Sequence, residues 1–127
     1  MRSIFELTTE YDKPQVSVPL ANKRNTDILL EYFEPRSLIC MNTNRQELFE
    51  INGGCFRLPA NFLHDYGRKA LISGRFDLAY LPGIPDYWYI AYNYVRKGGY
   101  LVGAMASGDK RFDNWLKALE VQNGVVM

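Results

Sequence analysis

The chain has 127 residues and a formal net charge of +1, from 15 Lys and Arg against 14 Asp and Glu. This length predicts a single domain over residues 1–127. A composition of 47% hydrophobic and 23% charged residues is that of a globular protein and excludes a disordered one. The near-neutral balance also excludes a nucleic-acid-binding protein held mainly by net charge, although a local basic patch stays open.

Residues able to bind metals or react as thiols are few. Cys40 and Cys55 lie in apolar runs, and neither has a second Cys or His at metal-ligand spacing. We therefore expect buried free thiols and no metal site. His64 is the single histidine, which excludes a site built from several histidines. No apolar stretch approaches the ~18 residues of a membrane span and no signal peptide is recognisable, so we expect a soluble, cytoplasmic protein.

The first third of the chain predicts a strand followed by a short helix. Arg2 to Leu7 has the apolar content of a strand, and Pro14 and Pro19 oppose a continuous helix in the segment after it. Thr26 is predicted to cap a helix that ends before Pro35.

The middle of the chain predicts three further strands and one helix. The continuous apolar run at 37–41 predicts a strand covered on both faces. Residues 45–51 can form two helical turns, which Gly53 and Gly54 end. Residues 55–58 and 76–81 are the next two predicted strands.

The last third predicts a helix, a strand and a second helix. Pro85 suits the first turn of a helix running to Arg96, and residues 100–105 form the fifth predicted strand. Asp109 is predicted to cap a final helix, because four large apolar residues follow it at helical spacing: Phe112, Trp115, Leu116 and Leu119.

Strands that alternate with helices predict an α/β fold with an open, mostly parallel sheet and helices on both faces. In such folds ligands bind at the carboxyl ends of the strands. The candidate site therefore consists of the loops that follow the predicted strands: Thr8–Asp12, Asn42–Asn44, Pro59–Asn61, Leu81–Asp86 and Ala106–Asp109.

Two segments carry a resemblance to a known family. Arg75–Gly83 is similar to an "FDxIxxNPP" motif, and Ala91–Met105 is similar to the "AYxxLxPGGxLVxIM" motif that follows it. With these motifs the chain resembles class I S-adenosylmethionine-dependent methyltransferases, closest to the phage and plasmid enzymes that methylate adenine in DNA. The resemblance implies a compact Rossmann-like fold. It also implies that Ile4–Glu10, Leu38–Arg45 and Gly54–Leu63 correspond to the family's first three strands and their loops.

The chain departs from the family where the family's chemistry lies. The first loop corresponds to Thr8–Asp12, which has none of the glycines that let the backbone approach the cofactor. Asn42 and Asn61 stand where the resemblance implies the acids beside the cofactor ribose and adenine. The implied Asn-Pro-Pro-aromatic turn, which holds a flipped base, reads Leu81-Pro82-Gly83-Ile84. If the cofactor binds, the implied contacts are Thr8, Glu10, Asn42 and Asn61, with the substrate at Leu81, Pro82, Gly83 and Ile84.

An aromatic segment follows that turn. Its Tyr and Trp residues surround a predicted helix, so one buried face cannot absorb them all: Tyr87, Trp88, Tyr89, Tyr92 and Tyr94. They are either half-buried core residues with hydroxyls reaching solvent, or a partner surface, of which self-association is the simplest form. Both interpretations stay open.

Two functions follow from the sequence. The first is a non-catalytic, methyltransferase-like binding protein of a mobile element, with no cofactor, which binds protein or nucleic acid and could act against a host defence system. The second is a compact, active S-adenosylmethionine-dependent methyltransferase of adenine in nucleic acid. The two differ in whether the loop after the first strand leaves room for the cofactor.

Overall fold

A computed structural model of the chain describes residues 2–51, 53–59, 75–81, 94–104, 116–122 and 125–126. Within these residues the helices are α1 (Ile4–Glu10), α2 (Lys23–Leu30) and α3 (Arg45–Phe49). The strands are β1 (Arg2–Ser3), β2 (Gln15–Val18), β3 (Ser37–Met41), β4 (Phe56–Leu58), β5 (Phe76–Tyr80), β6 (Val95–Ala104), β7 (Leu116–Gln122) and β8 (Val125–Val126).

The described strands form one sheet in the order β1-β7-β6-β5-β2-β3-β4, with β8 also paired to β7. The five strands β4, β3, β2, β5 and β6 run parallel to one another. Strand β7 runs antiparallel to β6, to β1 and to β8. The predicted α/β class, with an open and mostly parallel sheet, is confirmed. The strand order changes direction between β2 and β5, where ligands of such sheets bind outside the carboxyl ends.

Alternating side chains build a core on each face of the sheet. Val16, Val18 and Cys40 point to one face, where they pack with residues of all three helices in what we call the first core cluster. Met41 and Ala79 point to the opposite face and belong to the second core cluster. The described helices α1, α2 and α3 thus all cover the same face, and none of them is long and apolar enough to span a membrane.

Strand β6 bulges where it passes β5. Phe76 pairs with Val95 and Leu78 pairs with Tyr100, so that four residues of β6 face Asp77 alone. The Asp77 carboxylate accepts hydrogen bonds from the Gln15 backbone N–H at 2.9 Å and from Arg96 Nε at 2.7 Å. This ion pair raises the pKa of the Arg96 guanidinium. Asp77, in β5, thus links three neighbouring strands, because its partners Gln15 and Arg96 belong to β2 and β6.

The predicted strand over Arg2–Leu7 is wrong beyond Ser3, because residues from Ile4 onward form α1. Ile4 and Leu7 are buried at helical spacing and Glu6 between them is exposed, a pattern that a short apolar run leaves ambiguous. The first parallel strand is instead β2. Pro14 and Pro19, which were recognised as opposing a helix, flank this strand on its two sides.

Four elements of the middle of the chain are confirmed within two residues: β3, α3, β4 and β5. One predicted cap is wrong. Helix α2 begins after Asn22, whose side chain accepts a hydrogen bond from the Asn25 backbone N–H at 2.8 Å. Thr26 lies inside the helix and is fully buried.

Two predicted helices near the C-terminus are wrong where the structure describes them. Val95 and Arg96 belong to β6, not to the end of a helix, and Leu116–Gln122 is β7, not the continuation of a helix from Asp109. Strand β7 pairs with β6 over six residues. This long-range pairing outweighs the local helical spacing of Leu116 and Leu119.

Ser17 is a buried polar group whose hydroxyl has no hydrogen-bond partner among the residues that the structure describes. A hydroxyl removed from water without a partner destabilises the folded state. We expect Ser17→Ala to raise the free energy of unfolding by about 1 kcal/mol in urea denaturation. Ser37→Ala, at an exposed strand position, is the matched control and should leave it unchanged. A loss of stability in Ser17→Ala would show that the hydroxyl is satisfied.

Candidate functional site

The loop after β2 has the backbone of a glycine turn but carries a leucine. Leu20 has φ 56°, in the left-handed region that glycine adopts most easily. Its side chain is half-buried and packs against the second core cluster, which includes Met41 and Leu81 from the ends of two other strands. A leucine side chain therefore occupies the carboxyl edge of the sheet beside the first parallel strand.

Asn42 joins that loop to the end of β3. Its Nδ2 group donates to the Ala21 carbonyl and to Glu47 Oε2, each at 2.8 Å. Its Oδ1 atom accepts from the Asn44 backbone N–H at 2.9 Å. A further backbone bond runs from Ala21 N–H to the Met41 carbonyl at 2.7 Å. Asn42 is only 7% exposed, so its amide serves as an internal clamp between two loops.

An open groove of about 620 Å³ lies between α2 and α3, in the size range of small-molecule sites. Its walls are mostly polar and charged: Asn22, Lys23, Arg24, Asp27, Ile28, Glu47 and Glu50. Lys23 Nζ and Asp27 Oδ2 form an exposed ion pair at 2.7 Å. Among the residues the structure describes, no group of three or more His, Cys, Asp or Glu side chains is placed to hold a metal ion. The groove therefore offers charge and hydrogen bonds to a ligand.

The two cysteines are free thiols in the described structure. Burial raises the pKa of the Cys40 thiol to about 12, with smaller contributions from the neighbouring Cys55. Cys40 therefore stays protonated at neutral pH in the folded protein. Cys55 is half-buried, less than the sequence led us to expect.

Comparison with known proteins places this architecture among solved structures. No protein-family model matches the chain, and no curated protein matches its sequence. Three similar structures are the N-methyltransferase NodS from Bradyrhizobium japonicum and the S-adenosylmethionine-dependent methyltransferases from Mesorhizobium loti and Thermotoga maritima. Their TM-scores are 0.55, 0.53 and 0.54, at 14%, 12% and 17% sequence identity.

The chain has the fold of S-adenosylmethionine-dependent methyltransferases. The alignments cover 87%, 94% and 80% of this chain, and 70%, 62% and 49% of the three methyltransferases in the same order. The chain thus spans between about half and 70% of the length of these structures. At such low identity the structural similarity establishes the fold alone. The chemistry of this chain has to be argued from its own residues.

In this chain the first parallel strand is β2, and the loop that follows it consists of four residues: Pro19, Leu20, Ala21 and Asn22. The prediction that Thr8 and Glu10 follow the first parallel strand is wrong, because both lie in α1, which precedes that strand. The error follows from the misassigned first strand. Asn42 does lie at the end of β3, where the resemblance implies the ribose-binding acid.

The predicted substrate turn and the second asparagine fall largely outside the described residues. Leu81 is described: it is fully buried, and its backbone N–H donates to the Val102 carbonyl at 2.9 Å. A fully buried side chain does not itself reach a ligand. Pro82, Gly83, Ile84 and Asn61 lie outside the part of the chain that the structure describes.

The predicted aromatic surface is corrected at one position. Tyr94 is 1% exposed and belongs to the second core cluster, so this residue is core and not surface. It directly precedes β6, where packing against the sheet buries it. The other four members lie outside the described residues: Tyr87, Trp88, Tyr89 and Tyr92.

Leu20 and Glu47 were missed by sequence reasoning. The stretch of Val16 and Val18 between two prolines is a signal for a short strand that would have moved the first loop to residue 20. No comparable signal marks Glu47, because its contact with Asn42 depends on how α3 folds back over the end of β3.

Asn42→Asp introduces the acid that the resemblance implies at this position. We expect the free energy of unfolding to fall by about 2 kcal/mol, because a carboxylate cannot donate to the Ala21 carbonyl and would repel the Glu47 carboxylate. Urea denaturation measures the change. Asn44→Asp is the control: Asn44 caps α3, and aspartate caps a helix equally well. Equal stability of the two variants would contradict the clamp.

Proposed function

We propose that this methyltransferase-fold protein is non-catalytic and acts by binding a partner. The observation that carries the proposal is Leu20, a bulky side chain at a left-handed turn of the loop after the first parallel strand. Glycine at such a turn lets the backbone approach a ligand closely, whereas a leucine there fills the space. A cofactor seated against this loop would have to displace Leu20 from the second core cluster.

The Asn42 clamp supports the same proposal. Both amide hydrogens of Asn42 are engaged, one by a backbone carbonyl and one by the Glu47 carboxylate. If a ribose hydroxyl accepted one of these hydrogens, the group that now accepts it would lose its donor. That group is either the buried Ala21 carbonyl or the Glu47 carboxylate. The groups that hold the two loops together are thus the same groups that a cofactor would need.

We further propose that the partner is a protein. Phe49 is 78% exposed and Phe56 is 63% exposed, and aromatic side chains are enriched in protein interfaces. The aromatic segment at Tyr87–Tyr92 is the predicted surface, and self-association is its simplest form. A mobile-element origin, and with it an action against a host defence complex, rests on the sequence resemblance alone. Binding of nucleic acid is the alternative for the partner.

A second candidate function is a compact, active S-adenosylmethionine-dependent methyltransferase of adenine in nucleic acid. It is favoured by the polar pair of Asn42 and Glu47 beside the end of β3. Asn42 Nδ2 lies 2.8 Å from Glu47 Oε2, and both side chains carry oxygen atoms that can accept a hydrogen bond. In this case Glu47 could accept from a ribose hydroxyl if Asn42 turned away. The Pro82-Gly83 turn would then hold the substrate.

Titration calorimetry with S-adenosylmethionine and S-adenosylhomocysteine separates the two functions. For the wild-type protein we expect no heat and no thermal shift, meaning a dissociation constant above about 1 mM. Leu20→Gly removes the side chain and suits the left-handed backbone, so it should bind more tightly than wild type. Leu30→Gly, at an exposed helix position, controls for general loosening of the structure.

Micromolar binding of S-adenosylmethionine by the wild type, a binding free energy of about −8 kcal/mol, would overturn the non-catalytic proposal. A DNA methylation assay would follow.

Sedimentation velocity tests the partner proposal in its simplest form. We expect the wild-type protein to associate at micromolar concentration, and Tyr89→Ser to shift it toward monomer. Leu30→Ser is the comparison and should leave the association unchanged, because Leu30 is exposed on α2 and belongs to neither the aromatic segment nor the exposed phenylalanines. A monomer at all concentrations would overturn self-association and leave a different protein as the proposed partner.

A further inference from the structure

Two cysteines, one in β3 and one just before β4, lie on the same face of the sheet. The parallel register pairs Cys40 with Arg57, and Cys55 precedes Arg57 by two residues. Cys40 belongs to the first core cluster and Cys55 packs against it, so the two side chains face the same side of the sheet. Both pack in the first core cluster, with Cys55 at its margin. Cys55 lies close enough to Cys40 to contribute to the raised pKa of the Cys40 thiol.

The two cysteines differ in access and in freedom to move. Cys40 is fully buried in the middle of β3, whereas Cys55 is half-buried and lies just before β4. Gly53 and Gly54 precede Cys55, and each has open space around its Cα. An oxidant can therefore reach Cys55, and the glycines let the backbone there shift toward the short distance that a disulfide requires.

We propose that Cys40 and Cys55 form a reversible intramolecular disulfide when the protein meets hydrogen peroxide. The Cys55 thiolate attacks one peroxide oxygen, the O–O bond breaks, and hydroxide leaves, giving a sulfenic acid at Cys55. The Cys40 sulfur then attacks the Cys55 sulfur, the S–O bond breaks, and water leaves with the Cys40 proton. The two thiols lose two electrons in total, and peroxide accepts them.

The disulfide would constrain the candidate site. The chain between Cys40 and Cys55 contains Asn42, Asn44 and Glu47, which join the loop after β3 to α3 and to the loop after β2. Arg57 already donates to the carbonyls of Leu48 and Ile51 and holds the end of this segment. A covalent bond across the segment would make oxidation a means of rigidifying the carboxyl edge of the sheet.

Mass spectrometry of the intact protein after peroxide treatment tests the proposal. We expect the loss of two hydrogens, a Cys40–Cys55 cross-linked peptide in a non-reducing digest, and full reversal by dithiothreitol. The melting temperature of the oxidised protein should rise by about 5–10 °C, as expected for a loop of this length. Cys55→Ser is the control and should show neither the hydrogen loss nor the rise.

Two results would overturn the proposal. One is the stable addition of oxygen atoms to Cys55 with no loss of hydrogen, which would mean that Cys40 cannot reach the sulfenic acid. The other is a disulfide between two molecules through Cys55. Cys40 is buried, so its replacement could unfold the chain. The comparison therefore rests on Cys55→Ser, and Cys40→Ala is measured as well if that variant folds. The measurement is made without S-adenosylmethionine and stands apart from the proposed function.

Discussion

Gly99→Ala should lower the free energy of unfolding by about 3 kcal/mol or more, which is a large part of the stability of a small domain. A Cβ atom at Gly99 would lie 2.5 Å from the Asp77 carbonyl oxygen and 2.6 Å from Val95 Cγ1. The carbonyl belongs to the neighbouring strand, so the bulge and β5 would have to separate. Urea denaturation of the variant and the wild type measures the effect.

Gly54→Ala is the matched control for this prediction. In the described part of the chain, no atom beyond the neighbouring residues lies within 4 Å of a Cβ placed on Gly54, and its φ is outside the left-handed region. We expect its stability to remain within about 0.5 kcal/mol of wild type. If Gly99→Ala were as stable as Gly54→Ala, the close approach of the bulge to β5 would be wrong.

Asp77→Ala should lower the free energy of unfolding by about 3 kcal/mol, because this one carboxylate links three strands. Its removal leaves the Gln15 backbone N–H without an acceptor and the Arg96 guanidinium without its anion. The Asp77 side chain is 19% exposed, so water replaces these contacts poorly. Arg96 also lies over the Tyr11 ring, with 5.9 Å between its Cζ and the ring centroid, and this packing should loosen as well.

The Lys23–Asp27 pair supplies the comparison for Asp77. Both side chains of this pair are exposed, and exposed pairs contribute little to stability. We expect Lys23→Ala to change the free energy of unfolding by less than about 0.5 kcal/mol, and high salt to have little effect on the Asp77→Ala difference. A similar cost for both variants would mean that the Asp77 network carries no special stability.

The middle strands could be predicted from the sequence because they are buried on both faces. Residues 37–41 and 76–80 are short apolar runs with clear breaks on each side, and such runs have few alternative structures. The order of strands and helices then leads to the α/β class with no knowledge of packing. Asn42 was located for the same reason, since it directly follows one of these runs.

The remaining elements depend on contacts between distant residues. Leu116 and Leu119 have helical spacing, yet they belong to a strand because β6 offers an edge to pair with. The position of the first loop depended on identifying β2, which has four residues and one buried polar side chain. The left-handed turn at Leu20 could not be foreseen, because leucine has no preference for it. The contact between Asn42 and Glu47 likewise forms only once α3 has folded.

The pairing of β1 with β7 has a consequence for how the chain folds. Residues 2 and 3 pair with residues 118 and 117, so the most N-terminal strand completes its hydrogen bonds only after the seventh strand has left the ribosome. Contacts between residues so far apart in sequence carry a large loop-closure entropy and slow the folding reaction. During synthesis β1 therefore has no strand to pair with until β7 has been made. In a chain truncated before residue 117, β1 would lose its pairing partner along with the missing C-terminal residues.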